Sequence, residues 1–509
     1  MSPHPIPTSE LVYPPRLYNP LPGAVDGFLS IREQNSNRKG LQLPSNFMWG
    51  VAGSAWQTEG GLMSEGRGPS VLDFIGALPN KEGLNDSVTA DMYYFMYKQD
   101  IARLAAVGIP YYSFSISWTR IVPFGISGSP VNTEALEHYN DVINTCIEHG
   151  VTPIVTLLHD DSPNGIDYDN ATSFGAAFLY YAKITVANFG DRVPVWITFG
   201  EPNGGIGIFF KKYDTFRTLL LVHAEFYHWY RDEFRGTGQI SIKFANNLAT
   251  PLHGPSSAVD VRASLRYQDF LLGIMGNPIF LGQQYPASVL DTPDLNLTPL
   301  TADEIAYING TCDFFALDPY VAQIATVPPR EDPNHAPDDY QQLRDCITNS
   351  SNPLWPQCAE ITSIQQDGWP MGYFSNAYSK VAPNYVRQQL GYVWNTFKPQ
   401  GGIAITEFGF NPAFEEQISG EAQRFDLTRS LYLLEFLDEM LKAVHEDGVK
   451  MVGAFAWSVF DNNEFGSFAQ QYGLQSVNRT TGTFKRRYKR SMFDFVDFFH
   501  EHVASCEQV

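Results

Sequence analysis

The chain has little cysteine, a shortage of cations and no long apolar run, and each shortage excludes a class of protein. Its five cysteines among 509 residues form no CxxC or cysteine–histidine array, so neither a structural zinc site nor any other metal site is indicated. Lysine and arginine number 34 against 55 aspartates and glutamates, a formal net charge of −21. A protein with this excess of negative charge is repelled by nucleic acid and by anionic membranes. No apolar run approaches the roughly 20 residues that cross a bilayer, so we expect neither partner.

The compartment is left open by two features of the chain. Its first residues, MSPHPIPTSELVYPPRLYNP, lack the apolar core of a signal peptide. This favours a cytoplasmic location for the chain as given, and an extracellular one if a signal has been removed. Cys346 and Cys358 flank a stretch rich in proline and asparagine and would allow a disulfide in an oxidising compartment.

Hydrophobic residues make up 44% of the chain, enough for a large core. Short runs rich in strand-forming residues occur at 47–53, 111–118, 152–159, 195–201, 239–246, 312–320, 402–407 and 451–458. Between them lie segments such as 133–150 and 430–448, with apolar residues at helical spacing and a glycine at the end, as helix C-caps have. Eight alternating strands and helices predict the α/β class and a closed (β/α)8, or TIM, barrel.

The domain organisation follows from where this alternation begins. Residues 1–41 are proline-rich and without periodicity, and we expect them to form an N-terminal extension packed on the barrel. Residues 42–509 would be one catalytic barrel, since no linker divides them. Residues 321–376, after the sixth predicted strand, are expected to be a long irregular insert.

Two carboxylates stand at the ends of predicted strands. The stretch VWITFGEPN, residues 195–203, is an apolar strand that stops on Glu201 before a proline, which a sheet interior does not accept. Glu407, in AITEFGF, ends the seventh predicted strand. A lone acid there is more often a loop or helix cap, but barrel enzymes take their catalytic residues from these strand ends. A pair of acids at one rim matches glycosidic cleavage, in which one protonates the leaving oxygen and the other attacks or stabilises the anomeric carbon.

Six segments carry a resemblance to a known family. They are NFMWGVAGSAWQTEGG (46–61), DIARLAAVGIPYYSFSISWTRIVPFG (100–125), TPIVTLLHDDSP (152–163), GDRVPVWITFGEP (190–202), ITEFGF (405–410) and WSVFDNNEFGSF (457–468). The chain resembles glycoside hydrolase family 1 over roughly residues 42–496. The resemblance implies a retaining β-glycosidase, similar to β-glucosidases, that acts on a small-molecule glycoside without cofactor or metal.

The resemblance also implies roles for particular residues. Glu201 would be the general acid/base and Glu407 the nucleophile, with their carboxyl groups about 5 Å apart. The positions that match the family's substrate-binding residues are Gln57, His159, Tyr320, Trp457 and Glu464. Of these, Tyr320 matches the tyrosine beside the nucleophile. Each alone would more often be a packing residue, but all of them precede loops on one face of the barrel.

Five positions depart from the family's pattern. Ser113 replaces an arginine expected near the nucleophile, so we expect the site to lack a positive neighbour and to be more negative than the family's. Gly200 replaces an asparagine whose amide would bond the sugar's 2-hydroxyl, which predicts weak discrimination at that position. Asp160 and Asp318 stand where tryptophan and asparagine are usual. Phe465, also a candidate substrate-binding residue, replaces a tryptophan that would flank the sugar.

Two hypotheses of different class follow. The first is a working glycosidase whose altered sugar site accepts a glycone other than plain glucose. The second is a hydrolase-derived protein that has lost or changed this activity and binds or converts another small molecule in the same pocket, as Ser113 and Gly200 suggest. We favour the first, because a protein freed from hydrolysis would have no need to keep both Glu201 and Glu407 at strand ends.

Overall fold

The computed structural model describes residues 2–14, 40–75, 88–329 and 339–504. Its strands, in chain order, are β1 (Met48–Ala52), β2 (Tyr111–Ser115), β3 (Thr152–Leu158), β4 (Val195–Gly200), β5 (Gln239–Ala245), β6 (Leu248–Pro251), β7 (Phe315–Asp318), β8 (Ala322–Thr326), β9 (Glu360–Thr362), β10 (Tyr373–Phe374), β11 (Lys380–Val381), β12 (Ile403–Phe408), β13 (Met451–Trp457), β14 (Gln475–Asn478) and β15 (Lys485–Tyr488). Eight of them, β1 to β5 with β7, β12 and β13, close into a parallel barrel. Each lies within one residue of a predicted run, so the predicted (β/α)8 barrel is confirmed.

A long helix follows each barrel strand. These helices are Tyr93–Ala106, Thr133–Glu148, Ala171–Phe189, Thr215–His228, Ala258–Gln268, Asn384–Phe397, Leu427–His445 and Arg490–His502. Shorter helices are Ala55–Thr58, Val71–Ile75, Trp118–Ile121, Ile274–Gly276, Ala287–Leu290, Ala302–Ile308, Asp339–Ile347 and Gly420–Gln423. The glycines that follow two of the predicted helices, Gly150 and Gly448, have φ of 72° and 69°, the left-handed conformation that ends a helix. No helix among the described residues is long and apolar enough to cross a bilayer.

Strand alternation separates two apolar layers. On β5, Ile240, Ile242 and Phe244 belong to the large core between strands and helices. On β4, Val195 and Ile197 belong to a smaller cluster inside the barrel, with Trp457 and Tyr320 among its members. Because successive side chains of a strand point to opposite faces, the inward positions of β5 are Ser241, Lys243 and Ala245. These inward positions lead up to the C-terminal rim, where the site lies.

The insert after β7 is more regular than expected. Strand β8 pairs in parallel with β6 and antiparallel with β9, and Cys346, at the end of the helix Asp339–Ile347, forms a disulfide with Cys358. The expectation of an irregular segment over 321–376 is therefore wrong for these parts. The physical reason is that β8 completes its hydrogen bonds with a strand distant in sequence, which local composition does not reveal. Residues 330–338 lie outside the described residues.

The expected N-terminal extension is described only in part. Within residues 2–14, Glu10 pairs with Arg103 at 2.8 Å, and the side chain of Gln99 donates to the carbonyl of His4 at 3.0 Å. Both partners belong to the helix Tyr93–Ala106. Residues 15–39 lie outside the described residues, so the division at residue 41 stays a prediction.

Candidate active site

Glu201 stands immediately after β4, where the chain turns sharply. Its backbone has φ 51° and ψ 39°, a left-handed conformation that a residue with a side chain adopts at some cost and that is concentrated at functional sites. Its backbone nitrogen donates to the carbonyl of Lys243 on β5 at 3.0 Å, and Pro202 begins a single helical turn. The end of β4 therefore aims the Glu201 side chain over the barrel mouth.

Glu407 is a buried residue of β12, and both of its oxygens have a donor. The pairing between β12 and β13 is irregular between Ile405 and Phe408, the stretch that contains Glu407. The ammonium of Lys243 donates to Oε1 at 2.6 Å, and the hydroxyl of Tyr320 donates to Oε2 at 2.8 Å. The carboxylate is thus held from two sides, by Lys243 and by Tyr320.

Three carboxyl groups converge at this point. One oxygen each from Glu201, Asp318 and Glu407 lies within 4.8 Å of the others. The carboxyl groups of retaining glycosidases are about 5–5.5 Å apart, against about 6.5–9.5 Å in inverting enzymes, so the spacing of Glu201 and Glu407 suits retention. Three oxygens at this spacing could also hold a cation, but the ammonium of Lys243 already pairs with one of these groups, and an acidic cluster alone defines no metal site.

The protonation states of these acids follow from burial and charge. Burial, followed by the charges of Asp318 and Glu407, raises the pKa of Glu201 well above its usual range. Burial and the charge of Glu407 likewise raise the pKa of Asp318. Burial opposes the charge of Lys243, but Glu407 and Asp318 outweigh it and raise the pKa of the ammonium. These shifts favour the protonated form of Glu201, which has a proton to donate, and the charged form of Lys243.

Four of the predicted substrate-binding residues form one polar and aromatic wall. Glu464 accepts from Trp457 Nε1 at 2.9 Å and from Gln57 Nε2 at 3.3 Å. The ring of His159 is parallel to that of Trp457, with centroids 5.9 Å apart. Burial raises the pKa of Glu464 to about 8 and lowers that of His159 to about 4, so His159 is neutral at neutral pH. The wall offers hydroxyl-binding groups beside an aromatic face, as a sugar requires.

Phe465 lies outside this wall. Its side chain is 42% exposed and its ring stacks on Trp56 at 6.2 Å. It follows Glu464 in a left-handed conformation, with φ 49°. The structure therefore places the sixth predicted substrate-binding residue at the edge of the mouth, against Trp56, and its contact with substrate stays a prediction.

The expectation that the nucleophile lacks a positive neighbour is wrong. Ser113 is buried on β2, two residues from Tyr111, which packs on the cluster inside the barrel. The two residues share the inward face of β2, so this position does carry no charge. The cation comes instead from Lys243 on β5. One clue was present in the sequence: Lys243 is the only charged residue of QISIKFA, and a lysine in an inward position is rarely buried without a partner.

Gly200 leaves space for the ring of His159, besides lacking the asparagine amide that the family's pattern has at this position. A Cβ at this position would lie 2.7 Å from Nδ1 of His159, closer than such atoms approach. The histidine ring thus occupies space that only a glycine leaves open. An asparagine could not be introduced at position 200 without moving His159 and, with it, the ring stacked on Trp457.

A closed (β/α)8 barrel whose rim carries two carboxyl groups with oxygens within 4.8 Å of each other is an arrangement found in O-glycosyl hydrolases, and comparison with known proteins places the chain in that class. The profile of glycosyl hydrolase family 1 matches residues 40–505, and the chain belongs to this family. Its relatives include β-glucosidase 1B of Phanerodontia chrysosporium, 29% identical over 499 residues that cover 91% of this chain and 86% of the relative. The protein is a β-glucosidase-like enzyme.

Solved structures show the same likeness. A β-glucosidase from Trichoderma harzianum superimposes with a TM-score of 0.82 at 28% identity, over 92% of this chain and 99% of that one. A mutant rice β-glucosidase, described in a covalent complex with Glc, superimposes with a TM-score of 0.80 at 26% identity, over 91% of this chain and 99% of that one.

Proposed function

We propose that the protein hydrolyses a β-linked glycoside with retention of configuration, through two successive displacements at the anomeric carbon. The observation that carries this proposal is the proximity of Glu201 and Glu407, whose oxygens approach within 4.8 Å, with the pKa of Glu201 raised. One carboxyl group in its acid form beside a carboxylate that pairs with a cation is the arrangement that retaining hydrolysis uses.

In the first displacement, an oxygen of Glu407 attacks the anomeric carbon and forms a glycosyl ester. The bond from that carbon to the aglycone oxygen breaks, and Glu201 gives its proton to the departing oxygen. Glu201 is at the tip of β4, partly open to solvent, and so can reach an oxygen that leaves through the mouth. The left-handed turn at Glu201 fixes that orientation before substrate arrives.

In the second displacement, Glu201 has become a carboxylate and acts as a base. It takes a proton from water, the water oxygen attacks the anomeric carbon, and the bond to Glu407 breaks. The carboxylate of Glu407 is then restored between Tyr320 and Lys243. The rice relative in covalent complex with Glc supports a covalent intermediate in this family.

We propose that the substrate is a β-glucoside, or a β-glycoside of a sugar closely related to glucose. Glu464 and Gln57 offer an acceptor and a donor for neighbouring hydroxyls, and the Trp457 ring offers an apolar face for the sugar's C–H groups. The names of the relatives support glucose. Because Gly200 leaves out the amide expected near the 2-hydroxyl, the enzyme should also accept sugars altered at that position.

The test is the stereochemical course of hydrolysis. Nitrophenyl β-glucoside, together with the 2-deoxy and 2-amino analogues, would be hydrolysed in an NMR tube and the first anomer released would be recorded. We expect the β-anomer first, and kcat/KM values for the three glycosides that differ by less than about tenfold. The α-anomer first would refute retention. No turnover of any β-glycoside by folded protein would refute the function.

A further inference from the structure

Lys243 has an environment that a structural lysine rarely has. Its side chain is almost fully buried in an inward position of β5, between Ser241 and Ala245. Its ammonium donates to Glu407 at 2.6 Å. A lysine taken out of water in this way requires a charged partner, and here the partner is the carboxylate that performs the attack.

The same residue is joined to both halves of the catalytic pair. Through its side chain it contacts Oε1 of Glu407, while Tyr320 contacts Oε2. Through its carbonyl it accepts from the backbone nitrogen of Glu201. A shift of Lys243 would therefore move the donor of the nucleophile and the turn that aims the acid.

Charge in the pocket gives Lys243 a second effect. The titratable groups that face Glu407 come from several strands and loops: His159 and Asp160 after β3, Glu201 after β4, Lys243 on β5, Asp318 and Tyr320 at the end of β7, Tyr378 between β10 and β11, and Glu464 after β13. In this set Lys243 is the cation, because His159 is neutral. It therefore supplies the positive charge among these carboxyl groups and pairs directly with Glu407.

We propose that Lys243 is the positioning residue of the nucleophile, supplying from β5 the positive charge that the family's pattern places on β2, at the position of Ser113. This inference rests on the proposed function. It assigns to Lys243 the orientation of the Glu407 carboxyl group and the supply of a positive charge 2.6 Å from its Oε1. A merely structural ion pair would stabilise the barrel and leave the pH dependence of the reaction unchanged.

The first test compares pH profiles of kcat/KM for the wild type and Lys243→Met, which is one atom shorter, keeps the apolar part of the side chain and removes its charge. We expect kcat to fall about 100-fold or more, as when one preorganised donor is removed, with a smaller change in KM. The acidic limb should move upward, because without the ammonium the remaining charged groups of the pocket are carboxylates, which disfavour one another's ionisation. Lys450→Met, at an exposed lysine that immediately precedes β13, is the control and should leave the profile unchanged.

A relocation variant makes the test independent of whether Lys243→Met folds. Ser113→Arg combined with Lys243→Met restores a cation from β2, and its acidic limb should return toward that of the wild type, with kcat at least tenfold above that of Lys243→Met. The inference is overturned if Lys243→Met is folded and keeps the wild-type limb. It is equally overturned if the relocation variant is no better folded and no more active than Lys243→Met.

A melting experiment separates this inference from the proposed function. Removing one member of a buried pair leaves an uncompensated charge or a lost donor, so Glu407→Gln and Lys243→Met should each melt below the wild type. The decrease in Tm of the double variant should be smaller than the sum of the decreases of the two single variants, because the two side chains interact with each other. Strict additivity would contradict the pairing even if no substrate were turned over, whereas absence of turnover in the wild type would contradict the proposed function alone.

Discussion

The backbone nitrogen of Glu201 donates to the carbonyl of Lys243 at 3.0 Å, so one residue of β5 holds the proposed acid through its backbone and the proposed nucleophile through its side chain. This relationship bears on the non-hydrolytic hypothesis. That hypothesis drew support from the absence of a cation at position 113, which is a serine. Because Lys243 provides a cation, the electrostatic requirement of a carboxylate nucleophile is met, and only Gly200 remains as support for changed chemistry.

The raised pKa of Glu201 predicts how loss of its proton will affect different substrates. In Glu201→Gln, kcat/KM for a glycoside with a poor leaving group should fall about 10²–10⁴-fold, the usual contribution of a general acid. A dinitrophenyl glycoside, whose leaving group needs no proton, should lose far less. The pH profile of the dinitrophenyl glycoside should also lose its basic limb, because that limb reports Glu201. Equal losses on both substrates would assign the acid role to another residue.

Replacement of Gly200 should act through His159. In Gly200→Ala, the new Cβ would meet Nδ1 of His159 at 2.7 Å, and we expect a loss of about 1–3 kcal/mol in the free energy of unfolding, with a lower kcat/KM. In a His159→Ala background the same substitution should be nearly neutral, since the clash is gone. The control is Gly204→Ala, whose Cβ would have its nearest neighbour, the Cβ of Ala245, at 4.0 Å. Additive losses at positions 200 and 159 would show that the two do not meet.

Asp160 should make stability depend on pH. Burial, with the charges of Asp161 and Glu407, raises the pKa of Asp160 to about 7. The folded state therefore binds this proton more tightly than the unfolded chain, and the associated stability is complete below about pH 4 and is lost as pH rises through about 7. Asp160→Asn has no carboxyl group at this position and so does not lose this stability as pH rises. The difference in Tm between the variant and the wild type should therefore be about 2 °C larger, in favour of the variant, at pH 8 than at pH 5. The exposed control Asp191→Asn should show no such difference, and a pH-independent effect of Asp160→Asn would contradict the assignment.

Much of the fold could be predicted because each barrel strand is a local apolar run and each helix has its own period. The ends of β4 and β12 could be placed in the same way, and with them Glu201 and Glu407. The sequence did not allow us to predict that the cation beside Glu407 would be the ammonium of Lys243. Which inward side chain reaches Glu407 depends on the closure of the barrel, which brings β5 near β12 although 164 positions separate Lys243 from Glu407.

The insert and the loop after β13 were less predictable for a related reason. Strand β8 is stabilised by pairing with β6, and β6 is too short to be distinguished as a strand by its own composition. The position of Phe465 depends on a left-handed residue in a loop, and a phenylalanine in the sequence does not indicate that conformation. Both features are set by tertiary contacts rather than by local preference.

Trapping the covalent bond that Glu407 is proposed to form with the sugar would distinguish a double displacement from every other course of reaction. The wild type would be incubated with a 2-deoxy-2-fluoro-β-glucoside carrying a dinitrophenyl leaving group, which slows the second displacement more than the first. Intact mass and peptide mapping would then locate the label. We predict one fluoroglucosyl group per chain, on Glu407, with release of one equivalent of dinitrophenol. An active enzyme that carries the label on another residue, or that turns over without ever carrying one, would show that Glu407 is not the nucleophile.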